Sequence, residues 1–375
     1  GTHNFLLVGA GGFATIQAAV NAAHAGDTIL IASGTYTEQV TVGSALKGLT
    51  IEAASGATVT VDAPTTLAQN GTSPNSGNAV DGIFTVNGAN NVTINGLTIN
   101  GLDYGDANHF TAGQTNPSLV GIAYINTTGG SIDGMTITGT RESDAGIGDQ
   151  RNFGIWVENT NHLAGDIPTQ SEAGNLNTIS ITNSTLSEFQ KGGIVVKYAD
   201  ATINDNTLIG LGEVNNAQNA IEVRYSTGTV SNNTITDIGY SGPSNASATG
   251  VLGLEDYGLN ITGNSFTGAT DGQGHLLLSP VGYYVVDSTN GIIENNTAAD
   301  VVNGVVVQSE ALSPNDPITG TWIVSGNIVT DVVPVSQGGA PIYFDPDPTT
   351  GGTFTATGGT GDVGDVFFVS PGTDT

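Results

Sequence analysis

The sequence predicts an all-β fold: a single right-handed parallel β-helix with a short capping helix near its N-terminal end. Three observations favour this prediction. The composition suits short strands and tight turns, one polar–apolar pattern recurs at a similar spacing, and a second set of strands alternates with it. We expect one domain over 1–375, with the cap helix at 13–25, coils over 27–336, and irregular coils or a cap over 337–375.

The composition favours strands and turns over helices. The 375 residues include 55 Gly but only 6 Lys and Arg, against 34 Asp and Glu, and there is no Cys. Gly and Asn suit tight turns, whereas Thr, Val and Ile suit strands. The formal net charge of −28 disfavours nucleic acid as a partner, because its phosphates would repel the chain. No apolar run reaches the roughly 18 residues of a membrane helix, so we expect no membrane insertion.

A short pattern recurs from about residue 92 to residue 330. It reads VTINGLTI at 92–99 and TVSNNTI at 229–235, and its first apolar position marks the phase of each repeat. In the later repeats these markers are Ile181, Ile203, Val230, Ile261, Ile293 and Val324. The steps between them are 22, 27, 31, 32 and 31 residues. A period of about 20–50 residues with strand-like alternation indicates a stacked solenoid.

An asparagine recurs at a fixed position within this pattern. The column consists of Asn206, Asn233, Asn264, Asn296 and Asn327, with steps of 27, 31, 32 and 31 residues. Stacked Asn side chains can hydrogen-bond to one another along the stack, and Asn tolerates left-handed backbone. We therefore interpret this column as structural, placed at a turn.

A second family of strands lies between the markers. It includes FGIWVEN at 153–159, GGIVVKY at 192–198 and NAIEVRY at 219–225. Because strand side chains alternate between two faces, six apolar residues are predicted to point into the core. They are Ile155, Val157, Ile194, Val196, Ile221 and Val223. Two strands with their turns would then make one coil.

The N-terminal segment predicts the cap helix. Within 13–24, the apolar residues Ile16, Ala19, Val20 and Ala23 fall on one helical face. A short amphipathic helix at this place would shield the first coil of a solenoid from water and from pairing with other chains.

Residues 13–42 resemble the opening of many β-helices of the pectate-lyase-like superfamily. Gly34, Tyr36 and Glu38 match the G-x-Y-x-E element of the pectin methylesterases. The later D-F-x-F-G and L-G-R-x-W elements of those enzymes do not occur in this sequence. The resemblance therefore implies the fold and not the esterase chemistry.

A second, local resemblance is to chondroitinase-B-type alginate lyases. The stretch IVVKYADATINDNTL at 194–208, followed by AIEVRYSTGTVSNNTI at 220–235, is similar in layout to their signature. The resemblance implies Lys197 as the catalytic base and Arg224 as the proton donor.

Alignment of the second strand family predicts two outward columns on a solvent-facing wall. One column contains Trp156, Val195, Glu222, Leu252 and Tyr284. The other contains Glu158, Lys197, Arg224, Leu254, Val286 and Gln308. Adjacent coils are about 4.8 Å apart, so Lys197 and Arg224 would lie side by side. Their like charges would lower the pKa of Lys197, which suits a general base, while Arg224 would act as an acid or neutralise a uronate carboxylate.

Residues around this pair complete a predicted substrate site. The predicted substrate-binding residues are Trp156, Glu158, Glu222, Tyr225, Tyr284 and Arg151. Trp156 and Tyr284 would stack sugar rings. The alternative interpretation is a cross-strand ionic ladder of Glu158, Lys197, Glu222 and Arg224 on a solvated sheet.

The longest insertions predict loops near Trp156. The loops span 101–119, 139–152 and 160–177 and carry several acidic residues. Carboxylate oxygens are the ligands that Ca²⁺ prefers. The candidate ligands are Asp144, Asp149 and Asp166.

These patterns predict a secreted bacterial protein, extracellular or on the cell surface, that acts on a polysaccharide. As an enzyme it would be a lyase that cleaves an acidic polysaccharide by β-elimination, or a uronate epimerase. The alternative is a glycan-binding or adhesion module, without catalysis, within a larger exported protein.

Overall fold

The structure is a computed structural model, and it describes most of the chain. The described residues are 3–143, 148–308, 321–333, 339–345, 353–357, 360–361 and 367–369. The chain forms two compact units. The first comprises 1–144, 150–161 and 177–194, and the second comprises 145–149, 162–176 and 195–375.

The first unit contains three parallel sheets. Its first sheet is formed by Phe5–Val8, Thr28–Ile31, Thr50–Ala53, Thr93–Asn95, Gly130–Asp133 and Asn177–Thr182. Its second sheet is formed by Gly34–Thr37, Val59–Asp62, Thr98–Asn100, Thr136–Thr138 and Thr185–Ser187. Its third sheet contains Val40–Gly43, Ala79–Asn87, Ser118–Ile125, Phe153–Glu158 and the beginning of Gly192–Lys197, and the short strand Gly71–Thr72 pairs antiparallel with Ala79–Asn87.

The second unit repeats this arrangement. Its first sheet is formed by Ala199–Asn204, Thr227–Ser231, Tyr257–Thr262, Thr289–Glu294, Thr321–Ser325 and Thr353–Thr357. Its second sheet is formed by Thr207–Val214, Thr234–Tyr240, Ser265–Gly268, Thr297–Ala299, Ile328–Val329 and Thr360–Gly361. Its third sheet contains the end of Gly192–Lys197 and then Asn219–Arg224, Ala248–Leu254, Pro280–Val286, Asn303–Gln308, Ala340–Asp345 and Phe367–Val369.

In both units the chain visits the three sheets in turn, and strands of successive coils pair in parallel. The predicted fold class, a right-handed parallel β-helix, is confirmed. The predicted repeat phase is also correct, because Ile203 pairs with Val230, Val230 with Ile261, Ile261 with Ile293, and Ile293 with Val324. These marker side chains are buried in the core.

Each coil has three strands, where the sequence predicted two. The recurring pattern, interpreted as one strand, divides at a corner into a strand of the first sheet and a short strand of the second. Asn204 ends the first of these strands and Thr207 begins the next, and Asp205 between them has a φ of 56°. The left-handed residue turns the backbone from one sheet to the next, which alternation of apolar residues does not reveal.

The asparagine column lies at this corner and forms a continuous hydrogen-bonded ladder. The Oδ1 of Asn233 accepts from the backbone N–H and the side-chain amide of Asn206, at 2.9 and 3.0 Å. The same pair of bonds joins Asn233 to Asn264, Asn264 to Asn296, and Asn296 to Asn327. All five residues are at most 2% exposed. The structural interpretation of the column agrees with this geometry.

The left-handed backbone expected at the asparagines lies one residue earlier. The residues with positive φ are Asp205, Asn232, Gly263, Asn295 and Gly326. Their conformation turns the corner and leaves the next residue, the ladder asparagine, free to point inward.

The N-terminal helix is present, and Glu38 of the first coil caps its N-terminus. Helix α1 spans Ile16–Ala22, and Ile16, Ala19 and Val20 are buried, as predicted. The Glu38 carboxylate accepts from the backbone N–H groups of Ile16 and Gln17 at 2.8 and 2.9 Å. In this chain, the glutamate of the G-x-Y-x-E element therefore stabilises the helix N-terminus.

Two boundaries differ from the predicted ones. The strand Phe5–Val8 precedes the helix and pairs with Thr28–Ile31, although we expected strands only from residue 27. At the other end, Ala340–Asp345 pairs with Asn303–Gln308, so regular coils continue beyond residue 337 in the described residues. A second helix, α2, spans Gln170–Ala173.

Glycines at the start of the third-sheet strands allow close packing at another corner. A Cβ added to Gly250 would lie 2.5 Å from Cδ2 of Phe266 and 2.6 Å from the carbonyl oxygen of Gly282. A Cβ on Gly282 would likewise lie 2.6 Å from the carbonyl oxygen of Gly304. Side chains of the second sheet fill this space in place of a Cβ.

We expect Gly250→Ala to lower the free energy of unfolding by about 1–3 kcal/mol, because the added methyl group overpacks the corner. Urea unfolding followed by circular dichroism measures the loss. Gly272→Ala is the matched control, since an added Cβ there has no atom within 4 Å. Equal losses in both variants would contradict the packing argument.

Candidate functional site

The third sheet of the second unit carries most of the predicted site. Arg224 pairs with Leu254 in register. The N–H of Tyr225 donates to the carbonyl of Leu254, and the N–H of Tyr198 donates to the carbonyl of Arg224, each at 3.1 Å. Lys197, which precedes Tyr198, therefore lies beside Arg224 at the carboxyl ends of adjacent strands.

Arg224 lies between aromatic and acidic neighbours. Its Nη2 donates to the hydroxyl of Tyr225 at 3.0 Å, and its guanidinium carbon is 4.8 Å from the centre of that ring. The same Nη2 is 3.9 Å from Oε2 of Glu255. The side chain is 33% exposed, while Nε is buried and has no hydrogen-bond partner among the described residues. The guanidinium thus keeps an unused donor close to an exposed surface.

Two tyrosines stack beside this arginine. The rings of Tyr198 and Tyr225 are 4.8 Å apart and inclined by 15°. Both residues have left-handed backbone, with φ of 56° and 54°, and Glu255 and Asp287 follow them in the next two coils with φ of 56° and 45°. Such backbone costs about 1–2 kcal/mol for a residue other than glycine. Four successive coils therefore turn this corner through a left-handed residue with a polar side chain, which places these side chains next to one another.

Glu255 is the acidic residue of this group, and its burial favours the protonated form. Burial raises the pKa of Glu255, while the hydrogen bond from Tyr225 and the charge of Arg224 lower it. The neighbouring carboxylates of Asp166 and Asp287 raise the pKa of Glu255 further. Burial also raises the pKa of Tyr225. Both groups therefore stay protonated to a higher pH than their exposed counterparts, as suits proton donors.

A buried polar ladder supports the strained residues from the inside. The backbone N–H of Ser226 donates to Oδ1 of Asp256 at 2.8 Å, and the N–H of Asp256 donates to the hydroxyl of Ser288 at 3.0 Å. Burial raises the pKa of Asp256 well above its ordinary range. Asp256 therefore acts as a buried hydrogen-bonding rung and not as part of the exposed site.

Glu222 and Tyr284 lie in the predicted outward column of the second unit. Glu222 pairs with Leu252, and Leu252 pairs with Tyr284. Glu222 accepts from Nδ2 of Asn219 at 2.9 Å, and the Tyr284 hydroxyl donates to Oε1 of Gln308 at 2.8 Å. Both Glu222 and Tyr284 are half-buried, so each retains accessible surface.

Trp156 and Glu158 lie in the first unit, and there the prediction of a solvent-facing wall is wrong for Glu158. Its carboxylate is 2% exposed and accepts from Nδ2 of Asn75 at 3.0 Å and from the indole N–H of Trp156 at 3.2 Å. Trp156 is half-buried and packs edge-on against Phe153. Glu158 is thus a buried partner of Trp156 instead of a surface ligand.

The reason is a segment that covers this part of the sheet. Outward-facing Thr85, Ala123 and Ile125 are all at most 2% exposed. Asn70 accepts from the Thr85 hydroxyl at 2.8 Å, and a Cβ on Gly71 would lie 2.7 Å from Cδ1 of Ile125. The insertion that contains Asn70 and Gly71 therefore covers the outward face of this sheet. Its position was not predicted from the sequence.

Arg151 is also held by the protein. Its guanidinium forms an ion pair and hydrogen bonds with Glu142, whose side chain is 1% exposed, and it lies 5.8 Å from the ring centre of Phe110. Nε2 of Gln190 donates to the other oxygen of Glu142 at 3.2 Å. This environment gives Arg151 a structural partner, and its role in substrate binding stays a prediction.

The predicted calcium ligands are only partly described. Asp144 lies outside the described residues. The backbone carbonyl of Asp149 accepts from Nδ2 of Asn216, and Asp166 lies close enough to Glu255 to affect its pKa. Among the residues that the structure describes, no three His, Asp or Glu side chains are grouped as metal ligands. Calcium binding stays a prediction.

The structure thus brings together Trp156 with Glu158 in the first unit, and Lys197 with Arg224 and Tyr225 in the second. Sequence reasoning missed Tyr198 and Glu255 as members of the second group. Both occupy the position directly after an outward column residue, in register with Tyr225, so the repeat phase contained the necessary signal.

A family profile described as a right-handed β-helix region matches residues 170–345, slightly less than half of the chain. The match agrees with the parallel pairing of strands from successive coils. The chain folds as a right-handed parallel β-helix. Comparison with curated proteins gives no significant sequence match. Neither helix in the described part of the chain has the length and hydropathy of a membrane span.

Several solved structures resemble the fold at low identity. An alginate lyase from a Paenibacillus species is 14% identical with a TM-score of 0.43, covering 98% of each chain. The A-module of the mannuronan C-5 epimerase AlgE4 from Azotobacter vinelandii is 12% identical with a TM-score of 0.48, covering 95% of this chain and 94% of that one. A lacto-N-biosidase from Eubacterium ramulus is 11% identical with a TM-score of 0.49, covering 96% of this chain and 68% of that one.

Proposed function

We propose that the protein acts outside the cytoplasm on an acidic polysaccharide, as a lyase or a uronate epimerase, at the Lys197–Arg224 edge of the second unit. One observation carries the proposal. Arg224 has a buried Nε without a hydrogen-bond partner in the described part of the chain, and its partly exposed guanidinium lies beside the stacked pair of Tyr198 and Tyr225. A cation for a carboxylate, aromatic rings for sugars and a phenol for proton transfer are what such chemistry requires.

The proposed reaction begins with the uronate carboxylate paired to Arg224. The amine of Lys197 removes the proton from C5 of the sugar. In β-elimination the electron pair forms a C4–C5 double bond, the bond between C4 and the glycosidic oxygen breaks, and the hydroxyl of Tyr225 protonates that oxygen. In epimerisation the glycosidic bond stays intact, and a proton returns to C5 from the opposite face.

Tyr225 is a better proton donor than Arg224 in this scheme. A guanidinium is not deprotonated in proteins, so Arg224 neutralises charge and does not give up a proton. Tyr225 is hydrogen-bonded to Arg224, and Glu255 beside it can return a proton to the phenolate. This division of roles departs from the proton-donor role that the family resemblance implies for Arg224.

Deuterium incorporation at C5 tests the shared first step. We expect the protein in D₂O to release unsaturated uronates that absorb in the ultraviolet, or to introduce deuterium at C5 of alginate, pectate or a glycosaminoglycan, detected by NMR. Lys197→Ala should reduce either signal by about 10²–10⁴-fold, the contribution of a general base. The reaction should be measured with Ca²⁺ and with a chelator, which also tests the proposed calcium ligands.

Lys47→Ala is the matched control. Lys47 is another of the six basic residues, and it lies away from the proposed site, in the turn before the strand Thr50–Ala53. The proposal fails if no polymer shows either product, or if Lys197→Ala and Lys47→Ala are equally active.

The second candidate is a glycan-binding module without catalysis. It is favoured by the half-exposed Leu252 and Tyr284 on the same sheet, and by the acidic residues near Arg224. Together with the net charge of −28, these acids favour a neutral glycan over a polyanion. A glycan array with wild type, Trp156→Ala and Tyr284→Ala distinguishes the two candidates. The binding module is supported if wild type binds a neutral glycan and at least one of the two variants binds it more weakly.

A further inference from the structure

A buried carboxyl of the first unit has no role in the proposed reaction. Asp81, in the strand Ala79–Asn87, is 0% exposed. Its Oδ1 accepts from Nε2 of Gln114 at 2.8 Å. Its Oδ2 is buried without a hydrogen-bond partner among the described residues, and Oε1 of Gln114 is in the same position. Two acceptor oxygens on two interacting side chains are therefore unsatisfied together.

One added proton satisfies both oxygens. A carboxylic acid and a primary amide form two reciprocal hydrogen bonds when the amide N–H meets one carboxyl oxygen and the acid O–H meets the amide oxygen. The first of these bonds is present between Gln114 and Asp81. An ionised Asp81 would leave two buried acceptor oxygens without a donor among the described residues, which is costly.

Gln114 belongs to the segment 101–117, which connects the strands Thr98–Asn100 and Ser118–Ile125 and which we call the strap. Near Gln114, the part of the strap from His109 to Thr115 is tied to neighbouring segments by three backbone–backbone hydrogen bonds: Thr111 N–H to Leu67 O at 3.0 Å, Leu67 N–H to His109 O at 2.7 Å, and Ala79 N–H to Thr115 O at 2.8 Å. Gln114 connects the strap to the strand beneath it through a side chain.

We propose that Asp81 and Gln114 form a carboxylic acid–amide pair, and that the proton on Asp81 fastens the strap to the third sheet so that the strap loosens as the pH rises. The proposal does not depend on the proposed reaction, because it concerns the first unit and a different group.

The direction of the pH effect follows from the two states of Asp81. Burial raises its pKa to about 6 in the closed strap, and the hydrogen bond from Gln114 lowers it in part. In an open strap the carboxyl would have its ordinary pKa near 3.8. Opening therefore stays constant below about pH 4, becomes easier between about pH 4 and pH 6, and levels above that. The full change is about 100-fold in the opening equilibrium, ten-fold for each unit of pKa difference.

The other titratable groups of the strap contact partners other than Asp81. Burial and Gln114 are the causes that set the pKa of Asp81. Of the strap's own titratable residues, Asp103 pairs with Arg141, and Tyr104 stacks on His109 at 4.1 Å. Asp106 accepts from the N–H of Ser143, and Nδ1 of His109 is 2.8 Å from the carbonyl of Thr65. Tyr124 is the titratable residue of the neighbouring strand Ser118–Ile125, and it is buried. Histidine is a residue type whose charge can change between about pH 5 and pH 8, so the experiment includes a control at His109.

Amide hydrogen exchange of the full chain, followed by mass spectrometry from pH 4 to pH 8 and corrected for intrinsic exchange, measures strap opening. Peptides that contain Leu67, Ala79 and Thr111 report the three strap hydrogen bonds. In wild type we expect opening to increase about 100-fold between pH 4 and pH 7. Asp81→Asn should remain closed throughout, because its amide replaces the acid O–H with an N–H donor.

His109→Gln is the matched control, and it should keep the wild-type pH dependence. A thermal unfolding curve for each variant confirms that it is folded. The proposal is overturned if the wild-type profile is flat, if Asp81→Asn retains the increase, or if His109→Gln abolishes it. It is also overturned if Ca²⁺ or a chelator shifts the wild-type profile, because a cation would then occupy the place of the proton.

Discussion

Asn264→Ala should lower the free energy of unfolding by about 3–5 kcal/mol, as for the loss of a buried hydrogen-bond network. The substitution removes the acceptor for the backbone N–H and the amide of Asn233, and the donors to Val230 O and to Asn296 Oδ1. Each of these groups is buried, so water cannot replace the lost partner without opening the coil. Chemical denaturation followed by circular dichroism measures the effect.

Asn260→Ala is the matched control, because this residue lies in the same coil on the outward face of the strand Tyr257–Thr262 and is half-buried. Its loss should change the free energy of unfolding by no more than about 0.5 kcal/mol. Similar losses for both variants would mean that the asparagine ladder adds nothing beyond ordinary strand packing.

Arg151→Met should destabilise the protein by about 3–5 kcal/mol, because it leaves the buried carboxylate of Glu142 without its counter-charge. Gln190 alone would remain as a side-chain donor to that carboxylate in the described network. The expected loss is therefore one of folding stability, present without any glycan.

The double variant Glu142→Gln/Arg151→Met provides the control. It removes both charges, and we expect it to recover most of the stability that the single change loses. If Arg151→Met instead leaves stability unchanged and weakens glycan binding alone, Arg151 belongs to the substrate site and its pairing with Glu142 is incidental.

The repeat made the stacking of the chain predictable. The recurring apolar position at Ile203, Val230, Ile261 and Ile293 fixes which residues pair between coils, since a slip by one residue would expose the whole apolar set. The number of strands per coil was not predictable in the same way. It depends on left-handed residues such as Asp205, which carry no hydrophobic signal, and they divide one apparent strand into two.

The site was predictable only where it depended on register. Lys197 and Arg224 lie side by side because strands of adjacent coils pair in parallel. The burial of Glu158 was not predictable, since it depends on Asn75, which lies in a segment outside the repeat. Glu255 was not predicted, because alternation assigns only strand residues to the inner or the outer face. A left-handed residue directly after a strand belongs to neither face.

The asparagine ladder has a consequence for how such a chain can change in length. Asn233, Asn264 and Asn296 each accept from the preceding coil and donate to the following one in the same manner. A deletion or duplication from Asn264 to the residue before Asn296 would therefore leave all remaining rungs matched. A deletion or duplication that does not span whole coils would leave a buried amide without its partner. Recombination can thus add or remove whole turns of the second unit and move surface groups by steps of about 4.8 Å, while the buried hydrogen bonds between coils are preserved.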